Sequence, residues 1–200
     1  MRAVLLGDIV NSRKVAPSQW MPALKALLDE VGPSPSIWEI FRGDSFQVEC
    51  DPGQALALAL RIKSLVKTHR ELDVRISIGI GEIEHRAPQI TQSAGTAFVR
   101  SGEVFDKKSN QRLTIKTGDD KADEHLSVVL NLIGHIADNW KPETARTVYE
   151  SLSNPDLQQK DLAKLINRTP ATVSVALKRA GYSGIDKAVH HYKNLIGCLN

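Results

Sequence analysis

Cysteine, long apolar runs and net charge are all scarce in this 200-residue chain, and each shortage removes a class of protein. Cys50 and Cys198 are the only cysteines. They lie far apart in no CxxC or Cys/His spacing, so neither a disulfide framework nor a zinc site is implied, and Cys50 reads as a buried strand thiol. No apolar run approaches the roughly 18 to 20 residues that a membrane-spanning helix needs. The opening MRAVLLGDIVNSRK is broken by Asp8 too soon for a secretory signal, so a cytoplasmic protein without a membrane partner is expected. The formal charge of +3, from 26 Lys and Arg against 23 Asp and Glu, is too small to announce nucleic acid by itself. Repeats and low-complexity stretches are absent as well. What is present, 42% hydrophobic and 24% charged residues, is an ordinary globular composition that excludes global disorder and suffices for one large or two small domains.

Hydrophobic patterning divides the chain. Residues 3 to 7 form an unbroken apolar run, as in a central strand, and stop at Asp8. Trp20, Leu24, Leu27, Leu28 and Val31 fall at helical spacing, opened by Pro17 and closed by Gly32 and Pro33. Ser36 to Arg42 and Phe46 to Cys50 read as strands, with Gly43-Asp44 as a tight II′ hairpin turn. Asp51-Pro52 opens a helix through Val66, Val74 to Ile80 alternates as a strand, Gly95 to Asp106 reads as a short helix and Arg112 to Lys116 as an edge strand. Thr117 to Lys121 is a polar break, and every later element is helical. The expected architecture is therefore α+β: a β-α-β-β-α-β core over residues 1–120, then an all-α domain over residues 121–200.

In a β-α-β-β-α-β unit the third strand inserts antiparallel between the first two, so the end of strand one meets the start of strand three. Asp8 and Asp44 occupy those places. Two facing carboxylates are costly unless a cation neutralises them, and Mg²⁺ or Mn²⁺ with a nucleoside triphosphate is the economical explanation. Ile9, Asn11, Ser12, Arg13, Lys14 and Gly43 would then supply backbone amides and positive charge to the phosphates. The alternative stays open that Asp8 caps the coming helical segment and that Gly43-Asp44 is a plain turn. Gly79 and Gly81 in the fourth strand admit a close backbone or ligand, with a β-bulge the preferred reading. Glu82 is a further candidate for the carboxylate cluster.

AVLLGDIVNSR, FRGDSFQVEC and VRISIGIGEI, in that order, resemble the first strand, aspartate hairpin and following strand of class III nucleotidyl cyclases and related palm-type polymerases. GDIVNSRK, FRGDSFQ, ISIGIGEIE and SAGTAFVRSGEVFD, followed by the helical C-terminal region, resemble the bacterial SatD family over nearly the whole chain. The resemblance implies a ferredoxin-like palm with Asp8 and Asp44 as metal ligands, and a homodimer through the palm, for which the apolar Ile37, Trp38, Ile40 and Phe41 are the candidate surface. Cyclases carry an Asn and, four residues on, an Arg after this strand to orient ribose and stabilise phosphate. Val99 and Glu103 stand there, and Arg100 is the nearest candidate to supply charge, so ordinary adenylate cyclase activity is not expected.

The segment Gln159 to Tyr182 resembles the helix-turn-helix of bacterial regulators. Ala163 is the small residue at a helix crossing, Asn167 the turn residue tolerant of left-handed geometry, and Val173 and Leu177 the packing contacts of a second helix beginning at Pro170. Double-stranded DNA is the expected partner through Arg168, Thr172, Ser174, Lys178 and Arg179, in a stretch with five basic residues to one acid between Arg168 and Lys193. A helix-turn-helix used only for protein contacts is the alternative. His190 and His191 read as solvated helix histidines. The combined expectation is a regulator that senses or makes a nucleotide signal, or one whose palm is catalytically inactive and serves dimerisation or ligand sensing.

Overall fold

The computed structural model describes residues 1–107 and 110–199, and is an α+β structure built on a five-stranded mixed sheet. In chain order the elements are β1 (Arg2–Val10), α1 (Pro17–Asp29), β2 (Trp38–Phe41), β3 (Ser45–Cys50), α2 (Ala55–Val66), β4 (Asp73–Gly81), α3 (Thr96–Asp106) and β5 (Leu113–Lys116). They continue as α4 (Asp120–Asp138), α5 (Pro142–Ser153), α6 (Gln159–Leu165), α7 (Pro170–Arg179) and α8 (Tyr182–Gly197). The strand order is β2-β3-β1-β4-β5. β3 runs antiparallel between β1 and β2, β4 is antiparallel to β1, and β5 is parallel to β4.

Alternation along the strands sends two sets of side chains to opposite faces. Ala3, Leu5, Ile9, Phe46, Val48, Val74, Ile76, Ile78 and Ile80 join Leu24, Leu27 and Leu28 of α1 and Leu56, Ala59 and Ile62 of α2 in one buried core. The other set includes Val4, Leu6 and Asp8, whose register partners on β4 are Gly79, Ser77 and Arg75. α3 covers β4 on that face: Ser77 Oγ donates to the Ser101 carbonyl at 2.8 Å, and a Cβ on Gly79 or Gly81 would strike the α3 backbone at Ala97 or Ser101. These glycines serve a close helix approach. The expected β-bulge is not there, since β1 and β4 keep an uninterrupted register from Arg2↔Gly81 to Val10↔Asp73.

The hairpin also differs from expectation. Phe41 pairs with Ser45, so the connection has three residues, Arg42, Gly43 and Asp44, and positive φ falls on Arg42 and Gly43. A two-residue turn of Gly43 and Asp44 would have paired Arg42 with Ser45; the longer turn takes Arg42 out of the ladder and leaves Asp44 as the last turn residue. Trp38 is buried and Ile37, Ile40 and Phe41 are half-buried, with the 3-10 turn Ile90–Gln92 packed over β2 and β3. The apolar excess proposed as a palm interface is thus largely taken up within the chain.

Residues 117–120 form a helix start. Asp119 caps α4 by accepting from the Ala122 amide at 2.8 Å, and Asp123 accepts from the Thr117 amide at 2.6 Å. The core does not stop there: Leu126, Leu130 and Ile133 of α4, Ala145 and Val148 of α5, and Ile185, Tyr192 and Ile196 of α8 belong to the same buried cluster as the sheet. Tyr192 Oη donates to the Pro52 carbonyl at 2.8 Å, and burial pushes its phenol well above the usual range. Leu162, Ala163, Ile166, Val173 and Leu177, on or beside α6 and α7, form a separate small cluster.

A buried ionic cluster ties the sheet to the helices. Lys63 Nζ lies 2.8 Å from Asp73 Oδ1 and 2.6 Å from Asp138 Oδ1. Lys67 Nζ lies 3.1 Å from Asp73 Oδ2 and donates to the Asp138 carbonyl at 2.8 Å, while Arg112 closes on Asp73 from the rim. Burial alone would raise the Asp73 carboxyl, but the charges and hydrogen bonds of Lys63 and Lys67 hold it below the usual carboxylate range.

Candidate functional site

β1 carries Asp8 two residues from its end, directly opposite Ser45 on β3 and Arg75 on β4. Asp44 is the last residue of the β2-β3 turn, and its carbonyl accepts from the Ile9 amide at 3.0 Å. Hydroxyls cross between the two acids: Ser45 Oγ donates to Asp8 Oδ1 at 3.2 Å, and Ser12 Oγ donates to Asp44 Oδ2 at 2.6 Å. Ser12 reaches back because Asn11 takes a left-handed conformation (φ 62°) and turns the chain into the short 3-10 segment Ser12–Lys14.

The electrostatics of Asp8 follow from this packing. Burial raises its carboxyl above the usual range and the charge of Asp44 raises it further, against the lowering effects of the Ser45 hydroxyl and Arg75. Arg75 is shared: its guanidinium lies 4.0 Å from the centroid of the Phe105 ring and donates to the Phe105 carbonyl at 3.4 Å. Asp8 is thus a half-buried acid whose ionised form is incompletely compensated.

Beside Asp44 opens a cavity of about 510 Å³ lined by Ser12, Arg13, Trp20, Arg42, Gly43 and Asp44, among others. Of the residues expected to meet phosphates, Ser12, Arg13 and Gly43 line it. The other three do not line it. The Ile9 amide is spent on the Asp44 carbonyl, Asn11 Nδ2 donates to the Glu71 carbonyl at 3.2 Å, and Lys14 leans toward Glu71 with an N···O distance of 3.9 Å. Two cationic or polar contributors were missed. Arg42 precedes the Gly-Asp pair and enters the cavity through its left-handed turn conformation, while Ser45 faces Asp8 through strand register. The place of Ser45 was readable from alternation along β3, but that of Arg42 depends on a turn type the residues alone did not announce.

Among the described residues no group of three or more His, Cys, Asp or Glu is arranged to hold a metal. A divalent ion here would rest on two carboxylates and two hydroxyls, with the remaining positions left to water or ligand oxygens. That hard-oxygen set suits Mg²⁺ or Mn²⁺. Glu82 is not part of it: it sits at the opposite end of the sheet, 3.3 Å from the N-terminal amine.

The α3 positions are equally definite. Val99 is exposed, Glu103 pairs with Lys116, and Arg100 donates to the carbonyls of Ile80 and Thr117. Arg100 therefore clamps the β4 and β5 ends and is not available as the charge donor once expected of it.

The two-helix segment forms a second candidate site. Ala163 and Val173 are buried at the α6/α7 contact, Asn167 has φ 53° in the connection, and the Thr169 hydroxyl caps α7 by accepting from the Thr172 amide at 3.2 Å. Ala171, Thr172, Ser174, Val175, Lys178 and Arg179 are exposed on α7, whose inner side packs on α5, α6 and α8. Arg168 is exposed in the connection and lies 3.1 Å from Glu143 at the start of α5. Trp140 Nε1 donates to the Ala180 carbonyl at 3.1 Å, anchoring the end of α7 to the main core. His190 is solvated beside Asp186, whereas the His191 ring contacts His125 of α4 with centroids 5.7 Å apart.

No helix among the described residues is long and apolar enough to cross a membrane. In comparisons with known proteins the chain matches no family model, no curated protein and no solved structure.

Proposed function

We propose that this chain is a palm-type domain that binds a nucleoside triphosphate with Mg²⁺ or Mn²⁺, coupled to a helix-turn-helix that binds double-stranded DNA. The observation that carries the reading is the placement of Asp8 and Asp44 at adjacent strand ends, each accepting from a serine hydroxyl, with Asp44 lining a cavity that Arg13 and Arg42 also line. The strand order β2-β3-β1-β4 supports the ferredoxin-like palm implied by the SatD resemblance, and the α6-turn-α7 packing supports the helix-turn-helix. Two carboxylates and two hydroxyls would hold the cation, which supplies charge to the phosphate oxygens. Arg13 and Arg42 would hold the phosphate tail, and Ser12 and Ser45 orient the carboxylates.

A second reading, a DNA-binding regulator whose palm senses a ligand without turning it over, is favoured by α3. Val99 and Glu103 carry no ribose or phosphate ligand of the cyclase kind, and Arg100 is committed to two carbonyls. Calorimetric titration of the protein with Mg²⁺ and each nucleoside triphosphate tests both. Metal-dependent binding lost in Asp8→Asn and Asp44→Asn supports the site, and unchanged affinity in both variants discards it. Efficient formation of a 3′,5′-cyclic product by pure protein would overturn the sensing reading.

A further inference from the structure

α4 and α8 pack on one another, and their inner sides, Leu126, Leu130 and Ile133 on the first and Ile185, Tyr192 and Ile196 on the second, lie in the main core. The two helices run antiparallel. A Cβ on Gly181, which precedes α8, would meet Ile136 near the end of α4, and further along α8 His191 meets His125 nearer the start of α4. The seam between them surfaces at this histidine pair, where both side chains are exposed. The ring centroids stand 5.7 Å apart and the ring planes are tilted by 43°, between stacking and edge-to-face. Among the described residues no hydrogen bond or ion pair engages either ring. His190, next in the chain, is different: its Nδ1 lies 3.0 Å from the Asp186 carbonyl and 3.7 Å from the Asp186 carboxylate.

We infer that His125 and His191 form a two-imidazole site for a first-row transition ion, Zn²⁺ above all, that staples α8 to α4. Imidazole nitrogen is a preferred ligand of such ions, and here the two rings come from two packed helices rather than from a loop. With Zn–N bonds of about 2.0–2.1 Å and a tetrahedral angle, two ligating rings have centroids about 5 Å apart. Small rotations of these exposed side chains therefore bring one nitrogen of each ring to a common ion.

The surroundings select the class of ion. Among the described residues no carboxylate or thiol is grouped with the pair, and Lys121 and Lys187 stand one turn before His125 and His191 on their own helices. Mg²⁺ and Ca²⁺, which depend on several oxygen ligands, do not suit such a place, and water fills the remaining positions of the ion. α8 follows the α6-turn-α7 segment directly across Gly181, while α4 is buried against the sheet. A bound ion thus ties the helix behind the DNA-binding candidate to the sheet domain. The inference goes beyond the nucleotide and DNA reading and stands or falls apart from it.

Calorimetric titration of the full chain with Zn²⁺ tests it, on untagged protein in a Cys198→Ser background, with excess Mg²⁺ present to compete at Asp8 and Asp44. One ion per chain should bind with a Kd on the order of 10 μM, weaker than a four-ligand structural site because only half of those ligands are present. His125→Gln and His191→Gln should each weaken binding more than about tenfold, and the double variant should be no worse than either, since a lone imidazole does not chelate. His190→Gln should bind like the wild type. All three histidines are exposed, and circular dichroism confirms folding. Saturating Zn²⁺ should also raise the thermal midpoint by a few degrees in the wild type and in His190→Gln, and leave it unmoved in His125→Gln. No binding below about 1 mM Zn²⁺, or an affinity that survives loss of either His125 or His191, reduces the pair to a ring contact and overturns the site. Affinity lost in His190→Gln as fully as in His191→Gln overturns the bridge between α4 and α8.

Discussion

Two aspartates near the same end of the sheet have opposite fates. Asp73 opens β4, opposite Val10, and Asp8 lies on β1, opposite Arg75 two residues further along β4. Asp73 is buried and surrounded by Lys63, Lys67 and Arg112, which hold its carboxyl below the usual range despite burial. Asp8 is half-buried with a hydroxyl and a shared arginine for company, and burial together with Asp44 lifts it above that range. The first acid has its cations built into the chain and serves architecture. The second shares Arg75 with the Phe105 ring and carbonyl and has Asp44 beside it, and under the proposed function it serves as a ligand for an external cation.

The largest test of that contrast is stability. Asp73→Asn leaves the buried Lys67 without a carboxylate and Lys63 with Asp138 alone, and should cost about 3 to 5 kcal/mol in urea unfolding, whereas Asp8→Asn should be neutral or stabilising without metal. Equal losses in the two variants would erase the distinction. Next is metal-nucleotide binding: Asp8→Asn or Asp44→Asn should weaken Mg²⁺-dependent triphosphate affinity more than about tenfold, while Lys63→Met, if it folds, should leave the affinity unchanged. Binding that followed Lys63 instead would move the site to the wrong aspartate.

pH sharpens the comparison because the two shifts have opposite signs. Asp73 has a folded pKa below its unfolded value, so its contribution is fully present above the ordinary carboxylate range, about pH 4, and is lost as pH falls through the lower folded value. Asp8 has a folded pKa above its unfolded value, so its contribution is present below about pH 4 and is lost as pH rises through the raised one. Urea midpoints followed from pH 2.5 upward should therefore lose acid sensitivity in Asp73→Asn, and lose their small decline on the neutral side in Asp8→Asn. A saturating divalent ion should remove that decline in the wild type as well.

The smallest expected effects are on α7, where the charges are exposed. Arg168→Ala, Lys178→Ala and Arg179→Ala should each lower the slope of log affinity for DNA against log salt by about one, across all sequences alike. Thr172→Ala and Ser174→Ala should shift sequence preference instead. Glu143→Gln, which frees Arg168 from a solvent-exposed pair, should strengthen DNA binding by only about two- to five-fold, since such pairs are worth at most about 1 kcal/mol. Salt-insensitive association in every variant would return α6 and α7 to a protein-contact role.

The amino-acid sequence by itself determined a great deal here, because much of the pattern is local. An unbroken apolar run placed β1, period-two and period-3.6 spacing placed α1, α2 and β4, a resemblance to helix-turn-helix segments placed the α6-α7 pair, and the order of the strands was enough to bring Asp8 and Asp44 to neighbouring ends. Asn167 was legible as a left-handed turn residue, and Ala163, Val173 and Leu177 as a packed set, since each depends on neighbours a few positions away. Tertiary structure alone decided what depends on distant partners. Gly79 and Gly81 proved to make room for α3, Arg100 to clamp two carbonyls, and Lys63 to lie fully buried on a helix face that reads as amphipathic, neutralised by acids 10 and 75 positions away. Whether a charge is a ligand or a strut depends on how many opposite charges the fold packs around it, and that number is a property of three-dimensional proximity that no spacing along the chain encodes.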